Sequence, residues 1–226
     1  IRPTMIEDED FELNQLIDEL ENDAKEIDDL YFELETHFKW FDIVVELKGV
    51  SKKFISNMDS LSSIYEAISA KTDNSFLIGT LWSGVLSAYE GFVHDFFDLL
   101  LSNQIHSEEA TKKSSTLEKK ISSQLRIKDK KSISTEQLRI VFRKATLNNP
   151  INGAKLANHL FNTNIPLIDE ETIEAALKIR NAFTHNNGGV VVTLSALEAF
   201  HEKIDFVVSN FINEILSQAN NHISNN

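Results

Sequence analysis

The segment from Phe76 to Ser102, FLIGTLWSGVLSAYEGFVHDFFDLLLS, constrains the fold most, because it is apolar around most of a helical circumference. Such a helix must be buried on most sides, so several other helices are needed to surround it. The rest of the chain can supply them: apolar residues recur with helical spacing, and there are only 7 glycines and 3 prolines. Only 188–193, GGVVVT, has the composition of a strand. We therefore predict an all-α protein.

The N-terminal 46 residues predict a long helix over 8–46 with a heptad seam. Nine apolar residues recur at alternating spacings of four and three: Leu13, Ile17, Leu20, Ala24, Ile27, Tyr31, Leu34, Phe38 and Phe41. This seam should pack against another helix, either within the bundle or across a dimer, and the pattern leaves that choice open. A second helix is predicted over 52–70.

Charge is distributed unevenly along a chain whose net charge is −13. Residues 1–46 hold 16 Asp and Glu against 3 Lys and Arg, whereas residues 112–144 hold 11 Lys and Arg against 3 acids. The overall acidity argues against a general nucleic-acid-binding protein. The basic segment could still follow a phosphate backbone, and its candidate RNA-binding residues are Lys128, Lys130, Lys131, Arg139 and Arg143. Both runs could instead be solvated helix faces, or the acidic helix could mimic nucleic acid and shield the basic segment.

We expect a single domain over 1–226, in which 49–105 and 167–219 form the bundle core. Residues 1–48 would be the acidic heptad helix and 106–166 a basic, less regular elaboration on one side. There are no cysteines, which excludes disulfides, cysteine nucleophiles and thiolate metal sites. The acidic start is unlike a signal peptide. The sequence has no run of eighteen apolar residues without a charge, so we predict no membrane-spanning helix. These features favour a cytoplasmic protein without a membrane partner.

One face of the central helix is polar. Residues at spacings of four, three, four and four share that face: Ser83, Ser87, Glu90, His94 and Asp98. A buried carboxylate is costly unless it is paired, so Glu90 is expected to have a partner. Glu90 and His94 have the spacing of two metal ligands on a helix, but no second ligand cluster accompanies them. We therefore predict no metal site and no cofactor.

The sequence IRNAFTHNN, at 179–187, places three functional side chains at the end of a helix predicted over 170–186. Asn181 and His185 are one turn apart, and Arg180 lies beside them. His185 in a last helical turn suits proton transfer, and the planar guanidinium of Arg180 suits a phosphate. Such a set fits a reaction in which the substrate supplies the nucleophile, such as RNA cleavage by its own 2′-OH. The alternative is structural: Arg180 pairs with Glu90 or a neighbouring acid, and His185 caps the helix.

The stretch RNAFTH resembles the R-x4-6-H motif of the HEPN superfamily, in which a polar residue, commonly Asn, follows the Arg. In that superfamily the motif ends the penultimate long helix of an antiparallel helical bundle, followed by a turn and a last helix. The central helix also resembles the MAE-like HEPN branch in its aromatic–Glu–Gly–aromatic stretch, here Tyr89 to Phe92. The resemblance covers about 76–102 and 170–216.

This resemblance implies a metal-independent endoribonuclease that works as a homodimer, with both motifs facing one cleft. It implies that His185 is the general acid/base and Arg180 the phosphate clamp, with Asn181 positioning them and Glu90 supporting from the neighbouring helix. The products would be a 2′,3′-cyclic phosphate and a 5′-hydroxyl. Many members are toxins of toxin–antitoxin or antiviral defence systems, which implies an antitoxin or defence partner protein. Relatives silenced by AMP transfer carry a Tyr where this chain has Asn187. The alternative is a non-catalytic dimeric HEPN-like interaction module.

Overall fold

The computed structural model describes residues 6–69, 74–117, 125, 127, 133–185 and 189–224, with side chains from residue 15 onward, except those of Glu66 and Ser69. These residues contain seven helices and no strand, which confirms the prediction of an all-α protein. The helices are α1 (Ile6–Ser69), α2 (Ser75–Ser102), α3 (Gln104–Ser114), α4 (Thr135–Lys144), α5 (Pro150–Phe161), α6 (Glu170–His185) and α7 (Leu194–Ser224). The described part of the possible strand, 189–193, lies in the connection between α6 and α7.

The predicted division of the N-terminal region into two helices, 8–46 and 52–70, is wrong, because α1 runs through both. Gly49 is the residue that weakens the helix there, and a glycine in a helix costs only about 1 kcal/mol relative to alanine. One buried row continues across it with heptad spacing: Ile43, Leu47, Phe54, Met58 and Tyr65. Packing of this row outweighs the cost of the glycine, so the helix does not end.

The chain divides into two compact units, residues 1–40 and residues 41–226. The first unit is helical from Ile6. The seam predicted there is exposed in this single chain; Ile17 retains 43% of its accessible surface and Tyr31 retains 69%. The side chain of Leu13 lies outside the described residues.

In the second unit α2 is the central helix, and α3, α4, α5, α6 and α7 all pack against it. Fifteen of its residues are buried. Its aromatic rings make the middle of the core: Phe96 meets Phe211 edge-to-face at 5.1 Å between ring centroids, and Phe97 stacks on Phe142 at 4.6 Å. By length and composition α2 could also cross a membrane, but a buried core helix passes the same test.

The segment 106–166 does more than decorate one side of the bundle. It supplies Leu138, Phe142, Leu160 and Phe161 to the core around α2, each at most 2% exposed. Apolar residues that look sparse in the sequence are enough here, because α2 presents most of the surface that they cover.

Side-chain caps begin α6 and α7. Asp169 accepts a hydrogen bond from the Thr172 N–H at 2.7 Å, as a cap of α6 should. Ser195 and Glu198 have the spacing of a capping box, but they do not start α7. The helix begins at Leu194, and the Thr193 hydroxyl accepts from the Ala196 N–H at 3.2 Å. Thr193 caps the helix two residues earlier than Ser195 would, so Ser195 is already inside the helix.

Asp98 anchors α4 to α2. Arg139 donates to its two carboxylate oxygens at 3.0 and 3.3 Å, and Arg143 donates to both at 3.1 and 3.0 Å. Burial alone would raise the pKa of the Asp98 carboxyl, but hydrogen bonds from both guanidinium groups outweigh burial and hold this pKa below its usual value.

Replacing Asp98 by Asn should lower the free energy of unfolding by about 1–3 kcal/mol at pH 7, because the charge-assisted bonds are lost. Since the folded-state pKa is lowered, this contribution is complete above the unfolded-state pKa of about 4 and is lost as the pH falls through the folded-state value. The difference between wild type and Asp98→Asn in urea unfolding should therefore shrink below about pH 4.

Asp95→Asn is the matched control on the same helix. Among the residues that the structure describes, Asp95 pairs only with Lys53, at 2.6 Å on the surface, so its loss should cost less than about 1 kcal/mol. Equal losses in the two variants, or a pH-independent difference for Asp98→Asn, would contradict the anchoring role.

Candidate functional site

The three residues singled out in IRNAFTHNN lie on the last two turns of α6. Arg180 is half-buried, whereas Asn181 and His185 are exposed. Ala182 is buried between them and faces the bundle. The helix therefore buries its apolar side and presents the polar side chains along a rim open to solvent.

The rim is held by the first two turns of α2. The ring of Phe183 meets Phe76 edge-to-face at 6.2 Å between centroids and covers Gly79 so closely that a Cβ there would overlap it. The Thr184 and Ser83 hydroxyls are 3.4 Å apart. The start of α2 therefore packs against the end of α6.

Ser75, the first residue of α2, also holds the segment that follows the motif. Its hydroxyl donates to the Val190 carbonyl and accepts from the Val192 N–H, both at 3.2 Å. Both sides of the motif are thus attached to the same end of α2.

Within the rim, Arg180 donates to the side-chain oxygen of Asn181 at 3.2 Å. Over the ranges that the structure describes, no carboxylate pairs with Arg180, so the alternative in which it neutralises Glu90 is not the arrangement seen. Asn181 restrains the guanidinium without neutralising it. The remaining donors of Arg180 are available to an anion.

Glu90 lies on α2, the helix beside α6, and its hydrogen bond is to a segment outside the α6 rim. Its carboxylate accepts from the Leu147 N–H at 2.8 Å and lies 4.0 Å from the His94 ring. It is seven residues beyond Ser83, which is about 10 Å further along the α2 axis. The predicted partner of the Glu90 carboxylate is therefore a backbone N–H in the segment between α4 and α5. Of its neighbours in the aromatic–Glu–Gly–aromatic stretch, Tyr89 and Phe92 are core residues.

The polar face of α2 is thus a row of docking points. Ser83 meets α6, Glu90 holds the 145–149 connection, and Asp98 holds α4. Sequence periodicity identifies these residues as one face, but it does not indicate which segment each of them meets.

A cleft of about 700 Å³ opens beside α6. Leu177, one turn before Arg180, forms part of the wall of this cleft. The segment around Leu147 and the start of α5 contribute its polar lining: Lys144, Thr146, Asn148, Asn149 and Asn152. Amide side chains over apolar residues suit a planar, hydrogen-bonding ligand.

The candidate RNA-binding residues divide into two groups. Lys128, Lys130 and Lys131 lie outside the described residues. Arg139 and Arg143 both bond to Asp98, which gives them a role in the fold that the sequence does not indicate; half of the Arg143 side chain remains exposed.

A hydrogen-bonded chain that the sequence does not predict joins α1 to α7. The Tyr65 hydroxyl lies 3.1 Å from Nδ1 of His201, and Nε2 of His201 lies 3.3 Å from the Asp205 carboxylate. Burial, with the charges of Asp205 and Glu198, raises the pKa of Tyr65 to about 12, so its phenol stays protonated at neutral pH. His201 and Asp205 are four residues apart on α7, a spacing that is visible in the sequence. Tyr65 lies 136 residues before His201, so the sequence does not indicate that the two side chains meet. We assign these hydrogen bonds a structural role.

Within the described ranges no three His, Asp or Glu residues lie close enough together to hold a metal ion. Comparison with protein-family models, with curated proteins and with solved structures found no match to this chain.

Gly79→Ala should destabilise the protein by about 1–3 kcal/mol, because the added methyl group overlaps the body of the Phe183 ring rather than a mobile chain end. Gly91→Ala is the matched control on α2. The space beside Gly91 is open, so that change should stabilise the helix by up to about 1 kcal/mol. Thermal or urea unfolding gives both values. The same sign for the two substitutions would contradict the close contact at Gly79.

Glu90→Ala should cost about 1–3 kcal/mol, because it leaves the Leu147 N–H without its acceptor. Glu90→Gln retains an oxygen that can accept this bond and should recover most of the loss. Urea unfolding of the two variants measures the difference. Equal stability of Glu90→Ala and wild type would show that the bond does not hold the 145–149 connection.

Proposed function

We propose that this protein is a metal-independent endoribonuclease of the HEPN type, built on an antiparallel helical bundle of the MAE-like branch. The observation that supports this best is Arg180: a guanidinium oriented by Asn181, without a carboxylate partner in the described part of the chain, on the same rim as His185. A cation held in this way is suited to a phosphodiester.

The proposed reaction needs no nucleophile from the protein. The RNA 2′-oxygen attacks the adjacent phosphorus, a P–O2′ bond forms and the P–O5′ bond breaks. A base removes the 2′-OH proton and an acid protonates the leaving 5′-oxygen, so the products are a 2′,3′-cyclic phosphate and a 5′-hydroxyl. His185 is the proton-transfer group, and Arg180 stabilises the charge that develops on the non-bridging oxygens.

One His185 cannot be base and acid in the same step. A homodimer with two motifs facing one cleft supplies both groups, and this is the assembly we propose. Glu90 acts in this scheme as a positioning residue, because its carboxylate fixes the 145–149 connection on the wall of the cleft beside α6. We further propose a cytoplasmic toxin or antiviral defence effector, controlled by an antitoxin or defence partner. Asn187 stands where AMP-silenced relatives carry Tyr, which argues against that form of control.

The test is cleavage of total RNA in EDTA by wild type, His185→Ala and Arg180→Ala. Loss of a general acid/base typically costs a factor of about 10²–10⁴, so His185→Ala should reduce cleavage at least about 100-fold, and Arg180→Ala should also be strongly impaired. The products should carry a cyclic phosphate, detected by their resistance to ligation until the phosphate is removed.

Lys178→Ala is the control, because it removes an exposed cation from the same helix two residues before Arg180. It should keep full activity, and all four proteins should melt within a few degrees of one another. Equal or absent cleavage by wild type and His185→Ala would refute the catalytic assignment. Unfolding of Arg180→Ala would instead favour the non-catalytic helical module.

A further inference from the structure

The N-terminal part of α1 exposes a continuous apolar stripe. Its members are the heptad positions Ile17, Leu20, Ala24, Ile27, Tyr31, Leu34 and Phe38, hereafter the α1 stripe; all of these side chains are solvent-exposed. The stripe extends over 22 residues of helix, or about 32 Å from Ile17 to Phe38. Leu16 and Leu30 widen it, each more than half exposed. Exposed apolar surface of this length marks an interaction site.

The charge beside the stripe is of one sign. Residues 15–38 contain nine Asp and Glu and a single Lys. The positions that directly follow Leu20, Ile27 and Leu34 are Glu21, Asp28 and Glu35. In a heptad repeat these are the flanking positions that face the partner helix. Only Glu35 among these three has a cation beside it, Lys39 at 2.9 Å.

The acidic row formed by Glu21, Asp28 and Glu35 favours some partner helices over others. In a parallel pair of identical helices, Asp23 of each chain would face Asp28 of the other; in an antiparallel pair the acidic rows themselves would meet. Like charges across such an interface disfavour association. A helix with Lys or Arg at its flanking positions gains attraction at each of these points.

We propose that the α1 stripe is the docking surface for a basic amphipathic helix of a partner protein, which forms a heteromeric coiled coil with residues 16–38. Leu or Ile at the partner's heptad positions cover the stripe, and Lys or Arg beside them face Glu21, Asp28 and Glu35. This proposal does not depend on ribonuclease activity, because none of these residues belongs to the α6 rim.

The experiment titrates the full-length protein with two synthetic helical peptides of 28 residues. Both carry Ile and Leu at the heptad positions; one has Lys at the flanking positions and the other has Glu. The basic peptide should bind at least about tenfold more tightly in 0.1 M salt, and 1 M salt should reduce that preference because the Debye length falls to about 3 Å.

The charge variant Glu21→Lys/Asp28→Lys/Glu35→Lys should reverse the preference between the peptides. Its matched control, Glu19→Lys/Glu26→Lys/Glu33→Lys, introduces the same charge change on the far side of the helix and should keep the preference for the basic peptide. Leu20→Ser/Leu34→Ser should abolish binding of either peptide. Circular dichroism checks that each variant keeps its helix content.

Several results would overturn the proposal: no binding of the basic peptide, equal binding of both peptides, or equal effects of the two triple variants. A second copy is the competing occupant. Light scattering identifies it if the protein alone is a dimer that Leu20→Ser/Leu34→Ser converts to a monomer. If wild type and Leu20→Ser/Leu34→Ser have the same mass in light scattering, a second copy does not occupy the stripe, which supports a basic partner helix.

Discussion

Burial of α2 is the constraint on which the rest of the second unit depends. The helix is apolar on most of its surface, so α3 to α7 must pack around it. Its polar face cannot be covered by apolar side chains without leaving Glu90 and Asp98 unpaired, which would cost several kcal/mol. Each of these carboxylates instead bonds to a segment that packs on it: a backbone N–H of the 145–149 connection and the two arginines of α4. The same helix therefore drives the collapse and positions the surrounding segments.

The candidate site follows from this arrangement. The first turns of α2 hold the end of α6 through Phe183 and the following connection through Ser75. The rim carrying Arg180, Asn181 and His185 is thus attached to a rigid element, while its polar side chains stay in solvent. The ribonuclease proposed above would need both properties: a fixed cation and an open approach for its substrate.

The first unit, unlike the second, is not stabilised by burial of its apolar residues. A helix whose apolar seam remains exposed gains nothing from burial within its own chain, and its acidity adds repulsion between neighbouring side chains. The described side chains of the heptad seam are exposed, although their spacing predicts a coiled coil. The α1 stripe and the α6 rim share no residue, so the proposals about them can be tested separately.

The sequence was sufficient to predict the helical class and the start of α6, because helical period and the signals that begin a helix act within a few residues. It also identified Arg180, Asn181 and His185 as neighbours, since they share one helix. The tertiary structure shows that α1 continues past Gly49, because a buried row outweighs the local cost of a glycine. It also decided that Glu90 meets Leu147, 57 residues away, and that Tyr65 meets His201, 136 residues away. Such partners depend on which faces pack together, and the spacing of residues within one helix carries no information about the neighbour that covers it.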